Sequence, residues 1–174
     1  MRVTGGRLRG RVLPGRIADG VRPTSAKVRE ALFSMIGHDL SSLTLLDAFG
    51  GSGLMGLEAH SRGATVLITE KRRSVARQIQ QAMSSLNVEI EVRCVDAVSV
   101  LASGEKWDIV FLDPPYRLSA EEWVGRASEC AQQWVIVEHA ATQTPANTIK
   151  NCVLDRRRRY GDSTLSLYRV QSSG

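Results

Sequence analysis

The spacing of apolar residues changes character at residue 43. Before it, residues 2–14 read as a hairpin: Arg2-Val3-Thr4, then Gly5-Gly6, then Leu8 to Leu13 with arginines at 7, 9 and 11. Residues 15–22 read as loop. Ser25 is placed as an N-cap, and Val28, Ala31, Leu32, Met35 and Ile36 recur at helical spacing up to a stop at Gly37. Arg29 and Glu30 fall off that stripe. From residue 43, short apolar runs alternate with amphipathic segments. Strands are predicted at 43–48, 64–69, 88–94, 107–113 and 133–138, and helices at about 53–62, 72–86, 97–103 and 119–132. The helix over 72–86 sets Val75, Ile79, Ala82/Met83 and Leu86 on one face. Such alternation predicts a parallel sheet with right-handed crossovers. Two β-rich runs, 149–159 and 163–170, flank the turn Tyr160-Gly161-Asp162-Ser163 without a helix between them, so they pair antiparallel. The expected fold is α/β: a mostly parallel, seven-stranded sheet with an antiparallel C-terminal end and an N-terminal hairpin extension.

Composition adds little to this until charge is mapped along the chain. At 174 residues, 43% hydrophobic and 24% charged, the sequence suits one globular domain. No apolar run reaches the roughly 18 residues of a membrane span, and Arg2 is not followed by a signal-peptide core, so a cytoplasmic protein without membrane attachment is expected. Cys94, Cys130 and Cys152 fit a reducing compartment, and they and the scattered histidines lack metal-ligand spacing, so no metal is expected. The net charge of +5 is uneven: residues 1–37 carry +6, residues 150–169 carry +4, and the remainder −5. Basic ends around an acidic middle point to a polyanion-docking face. Alternate arginines 7, 9 and 11 on a strand would form a basic comb suited to phosphates.

Two stretches carry chemistry. In Leu43-Thr-Leu-Leu-Asp47-Ala-Phe49-Gly-Gly51-Ser-Gly53-Leu-Met-Gly56, three glycines stand in G-x-G-x-x-G spacing between a strand and a helix. That pattern is shared with dinucleotide enzymes. Asp47 and Phe49 tilt it towards S-adenosyl-L-methionine, whose ammonium group a carboxylate can meet. Glu70, beside Lys71, ends the second strand about 20 residues later, where an acid can accept both ribose hydroxyls. Asp96, followed by Ala97, either accepts from an adenine amine or caps the helix at 97–103.

The second stretch is Asp113-Pro114-Pro115-Tyr116, after the fourth strand, expected beside the first at the topological switch. It suits methylation of an exocyclic amine, whose lone pair is conjugated with a ring. A carboxylate and a stiffly held carbonyl can accept its two N–H bonds and free the lone pair, while Tyr116 stacks on the base. A base inside a helix cannot reach such a pocket, so it must be unpaired or flipped out.

On these residues the chain resembles, over nearly its full length, the bacterial 16S ribosomal RNA guanine-N2 methyltransferases of class I, Rossmann-like architecture. The matching stretches are Gly5-Gly6…Arg9-Gly10-Arg11, Arg22-Pro23-Thr24…Val28-Arg29-Glu30-Ala-Leu-Phe33, Asp47 to Gly53, Gly56 to Ala59, Ser61 to Ala64, Asp113 to Tyr116 and Tyr160-Gly161. The resemblance implies S-adenosyl-L-methionine as donor, guanine N2 as acceptor, and a 30S particle as substrate of a monomeric enzyme. It implies an amine site at Asp113 to Tyr116 and a cofactor site at Asp47, Gly51, Gly53, Glu70 and Asp96, beside which Phe49, Lys71 and Ala97 are also expected to bind the cofactor. It also implies an RNA-holding extension over residues 1–37, with Arg7, Arg9, Arg11, Arg22, Thr24 and Arg29, ahead of a catalytic domain at 38–174. Gly50 departs from the family's common alanine, the segment from Tyr116 to Trp134 is short, and Arg156 to Arg159 are unusually basic. Competing readings are an N6-adenine or protein-glutamine methyltransferase, an NAD-dependent oxidoreductase and a non-catalytic RNA-binding module.

Overall fold

The computed structural model describes residues 1–15 and 24–171. The chain forms two compact units, Met1–Ala97 and Val98–Gly174.

In the first unit, helix α1 (Ala26–Ile36) precedes three parallel strands alternating with helices: β1 (Thr44–Asp47), α2 (Leu54–Ser61), β2 (Thr65–Thr69), α3 (Arg73–Ser85) and β3 (Glu91–Arg93). The strands lie in the order β3, β2, β1, with Leu46 opposite Leu67 and Ile68 opposite Val92. Leu45, Leu46, Leu67 and Ile68 are all buried, as expected of a parallel sheet covered on both faces. Ser25 caps α1 by accepting from Val28 N at 3.3 Å, and Gly37 ends it at φ +114°. The buried face of α1 is Val28, Arg29, Leu32 and Phe33, so Arg29 lies inside the stripe that periodicity set it outside.

The N-terminal hairpin is shorter than expected. Its arms pair through one bridge, Arg2 with Val12, and residues 5–10 form turns. Gly6 turns the chain at φ +72°, and a Cβ there would lie 1.9 Å from Ser61 O. The segment can therefore dock on the end of α2 only with glycine at this position. Arg7 N donates to Ser61 O at 2.7 Å and Leu8 N to Ser61 Oγ at 2.9 Å, while Val3, Leu8 and Leu13 are buried.

Helix α4 (Ala97–Leu101) spans the division between the units. The second unit continues with β4 (Trp107–Leu112), α5 (Ala120–Ala127), β5 (Ala131–Ala140), β6 (Thr148–Ile149), β7 (Cys152–Tyr160) and β8 (Ser163–Val170). Here β4 and β5 are parallel, while β8, β7 and β6 follow in antiparallel pairing. The described residues form eight strands, one more than expected. The extra strand, β6, turns into β7 through Lys150 (φ +51°) and Asn151, a tight turn without the glycine that usually marks one. Helix α5 stops at Ala127, well before residue 132, because Cys130 O already accepts from Trp107 N at 2.9 Å in the β pairing. No helix among the described residues is long and apolar enough to cross a membrane.

Candidate active site

The glycine loop is a tight turn held by the ends of its own strands. Gly50 N donates to Thr69 O at 2.7 Å and Gly53 N to Gly50 O at 2.6 Å. Gly51 and Gly53 take positive φ, +53° and +76°. A Cβ at Gly53 would stand 2.8 Å from Ile79 Cγ2, so its close approach is to the core side of α3. Gly50 is closely packed too: a Cβ there would lie 2.6 Å from Ile68 Cγ2 and 3.0 Å from Thr69 O, so an alanine at this position would require the Ile68 side chain to shift.

Two acids bracket this loop. Asp47 is 1% exposed, and its Oδ2 accepts from Gly56 N at 3.2 Å. Its Oδ1 is buried with no hydrogen-bond partner among the described residues. Burial pushes the Asp47 carboxyl up to about 7; the Gly56 and Phe49 amides pull it back, and the Glu70 charge raises it further. Glu70 Oε2 accepts from Gly51 N at 3.2 Å, and its Oε1 from Arg72 N at 2.9 Å and Arg72 Nε at 3.2 Å. Each oxygen of a carboxylate has two acceptor positions, so these three bonds leave one open on Oε2 for a hydroxyl, and a second hydroxyl would need the half-exposed Arg72 guanidinium to release Oε1. A buried acid with an unsatisfied oxygen fits a ligand carrying positive charge, as S-adenosyl-L-methionine does at its ammonium and sulfonium. Phe49 is half-buried and Lys71 exposed. Asp96 is exposed immediately before α4 and Ala97 is buried as its first residue, an arrangement that suits a cap and a ligand acceptor equally.

In the second unit, Asp113 follows β4 directly and is half-buried. Pro114 is buried, Pro115 is exposed, and Tyr116 is 38% exposed. Pro115 O accepts from Leu118 N at 2.8 Å. The Pro115 carbonyl is thus already engaged once within the loop.

The proposed RNA contacts divide. Arg7, Arg9 and Arg11 are exposed, but turns carry Arg7 and Arg9, so the three do not share one strand face. The Arg7 guanidinium also meets His60 Nε2. Arg22 lies outside the described residues. Thr24 is half-buried and its carbonyl accepts from Arg29. Arg29 is not an RNA contact: it is 3% exposed, its Nε donates to Glu58 Oε1 at 3.0 Å and its Nη2 to Arg2 O at 2.9 Å.

Glu58, which lies in the family-matching stretch Gly56 to Ala59 without an implied role there, is the centre of that cluster. It is fully buried and also accepts from Thr4 N at 2.7 Å, Thr4 Oγ1 at 3.0 Å and Arg62. Arg62 in turn lies 4.1 Å from the centroid of the Phe33 ring. One carboxylate thus ties the N-terminus, α1 and the end of α2. The local hint in the sequence is an acid inside an otherwise apolar helix stretch. The arginine run is similarly divided: Arg157 is tied to Ser166 Oγ at 2.9 Å and Pro145 O at 2.6 Å, Arg156 pairs with Asp155 at 3.2 Å, and Arg159 Nε bonds Gly161 O at 2.9 Å.

Residues 1–169 match the model of a family described as Conserved hypothetical protein 95. The ribosomal RNA small subunit methyltransferase D of Escherichia coli K12 is 34% identical, over 100% of this chain and 92% of that protein. The chain belongs to the small subunit methyltransferase D family. The Haemophilus influenzae member is 30% identical over 97% of this chain and 93% of its own. Among solved structures, yhhF of Escherichia coli, described as a candidate methyltransferase, matches at a TM-score of 0.86 and 32% identity, covering 99% of each chain. The family fold is the Rossmann-like one expected, mostly parallel with an antiparallel C-terminal part.

Proposed function

We propose that this protein transfers a methyl group from S-adenosyl-L-methionine to N2 of a specific guanine of 16S rRNA within the 30S subunit. The observation that carries the reading is full-length similarity to small subunit rRNA methyltransferases combined with an Asp-Pro-Pro-Tyr loop directly after β4. The first unit holds the donor: Asp47 meets its positive charge, Glu70 its ribose hydroxyls, and Phe49, Gly51, Gly53, Lys71, Asp96 and Ala97 complete the cradle. When bound, S-adenosyl-L-methionine supplies an electrophilic methyl group and remains as S-adenosyl-L-homocysteine.

Asp113 and the Pro114 carbonyl accept the two N–H bonds of the guanine amine, and Tyr116 stacks on the base. Drawing those hydrogens away from the ring plane weakens conjugation and turns the nitrogen lone pair outward. The nitrogen gains the methyl, and its surplus proton passes to solvent. Orientation of this kind contributes up to about 7–11 kcal/mol in favourable cases. Residues 1–37 act as an RNA-holding extension of a catalytic domain at 38–174. In this reading Arg7, Arg9, Arg11, Arg22 and Thr24 face phosphates. The enzyme works as a cytoplasmic monomer without a metal.

The test is transfer of tritiated methyl to 30S particles from a strain lacking the enzyme, followed by nucleoside mass spectrometry. N2-methylguanosine in 16S rRNA is expected. Label in methyladenosine or in protein would reject guanine as acceptor, and absence of label would reject catalysis.

A further inference from the structure

The backbone that follows Tyr116 is held by one side chain from far along the chain. Gln143 Nε2 donates to Tyr116 O at 2.8 Å and to Leu118 O at 3.0 Å. Gln143 Oε1 accepts from Ala120 N at 2.9 Å. A single carboxamide therefore closes three backbone bonds across five residues, starting at the last residue of the Asp-Pro-Pro-Tyr stretch. With Leu118 N already on Pro115 O, little freedom is left in this segment.

We propose that Gln143 is the positioning residue that sets the conformation of the loop from Asp113 to Leu118, and so the presentation of the acceptor amine. The inference rests on the methyl-transfer reading above. The task needs two donors and one acceptor on one planar group at the end of a two-methylene stem. Glutamate lacks the donors, asparagine is a methylene short, and methionine fills the space without bonding.

The segment that carries Gln143, residues 141–147, is itself fastened on several sides. Ala141 N donates to Asp162 O at 2.9 Å and Gln143 N to Ala140 O at 2.9 Å. Arg157 Nη2 donates to Pro145 O at 2.6 Å, and Tyr168 Oη to Ala146 O at 2.9 Å. Ala146 N donates to Glu121 Oε2 at 3.0 Å, at the start of α5. Arg157 is steadied in turn by Ser166 Oγ, which meets His139 Nε2 at 2.8 Å. The arginine in the middle of the basic run thus serves as a mount for this strap, and Gln143 reaches the loop from a support anchored on β7 and β8.

The experiment compares wild type with Gln143→Met and Gln143→Glu. It measures steady-state methyl transfer to 30S particles, S-adenosyl-L-methionine affinity by calorimetry, thermal unfolding, and the rate of tryptic cleavage after exposed Arg117. For both variants the expected result is a kcat loss of roughly 10- to 100-fold. Cofactor affinity should stay within about twofold, and Arg117 should be cleaved faster, because the loop is loosened. Unchanged kcat, or unchanged cleavage at Arg117, would overturn the proposal. A kcat loss matched by loss of cofactor affinity, or by unfolding below the assay temperature, would mark Gln143 as a general stabiliser and also overturn it. If the wild type itself transfers no methyl, the methyl-transfer reading fails; if the wild type is active and the variants equal it, only the role of Gln143 fails.

Discussion

Two loops in this chain follow parallel strands, one after β1 and one after β4, and they are held in opposite ways. The loop after β1 is buttressed by its own surroundings: Asp47 holds Gly56, Glu70 holds Gly51, and Thr69 O holds Gly50. Every one of those partners is within a motif or at the end of the next strand. The loop after β4 has stiff prolines, but its exit is set by Gln143, a residue in no motif, mounted on a strap tied to β7 and β8. A loop that grips a constant cofactor can be specified by a short pattern. A loop that presents a varied acceptor is shaped by whatever tertiary support surrounds it.

The largest effect that would break this contrast is at Asp113. Asp113→Ala should abolish methyl transfer to 30S particles while calorimetry returns wild-type S-adenosyl-L-methionine affinity. Retained transfer would remove Asp113 from the reaction, and lost affinity would mean that the two loops do not divide donor and acceptor between them. Next in size is the support of the first unit. Glu58→Gln should cost about 3–5 kcal/mol in denaturant unfolding, because Arg29 and Arg62 are left buried without their carboxylate. A change of less than about 1 kcal/mol would show that the first unit does not depend on this cluster.

A pH-dependent effect follows from Asp47. With its folded pKa pushed up to about 7 from 3.8, the native state keeps a proton there that the unfolded chain has lost. Its contribution to stability is full below the lower value and falls as pH rises through the upper one. Asp47→Asn should flatten that part of the stability profile. A cation bound beside Asp47 favours the carboxylate, so cofactor binding near about pH 6 should release a proton in wild type and none in the variant. Calorimetry in buffers of different ionisation enthalpy reads this release directly. The smallest effect sharpens the role of the N-terminus. Replacing Arg7, Arg9 and Arg11 with glutamine should reduce the salt dependence of ribosome binding by about 0.7–0.9 in log–log slope for each phosphate left without its arginine. Cofactor affinity should not move. An unchanged slope would take these arginines off the RNA face.

Much of this molecule is legible in its residues. The apolar runs at Leu45–Leu46 and Leu67–Ile68 place the parallel strands because buried strands are apolar on both faces. Ser25, Gly37, Gly51 and Gly53 behave as local chemistry requires, since caps and positive φ depend on the residue itself. Arg29 departs from its local pattern for the opposite reason. Its charge suggests solvent or phosphate, and only the arrival of Glu58 from α2 makes burial tolerable. The basic comb does not form, because Gly6 docks on Ser61 and bends the strand that would have aligned it.

The sequence by itself determined the order of strands and helices apart from β6, the glycine turn with its flanking acids, and the Asp-Pro-Pro-Tyr stretch, because hydrophobic period and backbone stereochemistry act over a few residues. Tertiary structure alone decided which charges are surface and which are ties, and which distant amide braces the loop after β4. Several of those outcomes depend on distant partners, Gln143 lying 25 positions from Leu118 and Glu58 54 from Thr4, and no local pattern encodes where such partners meet.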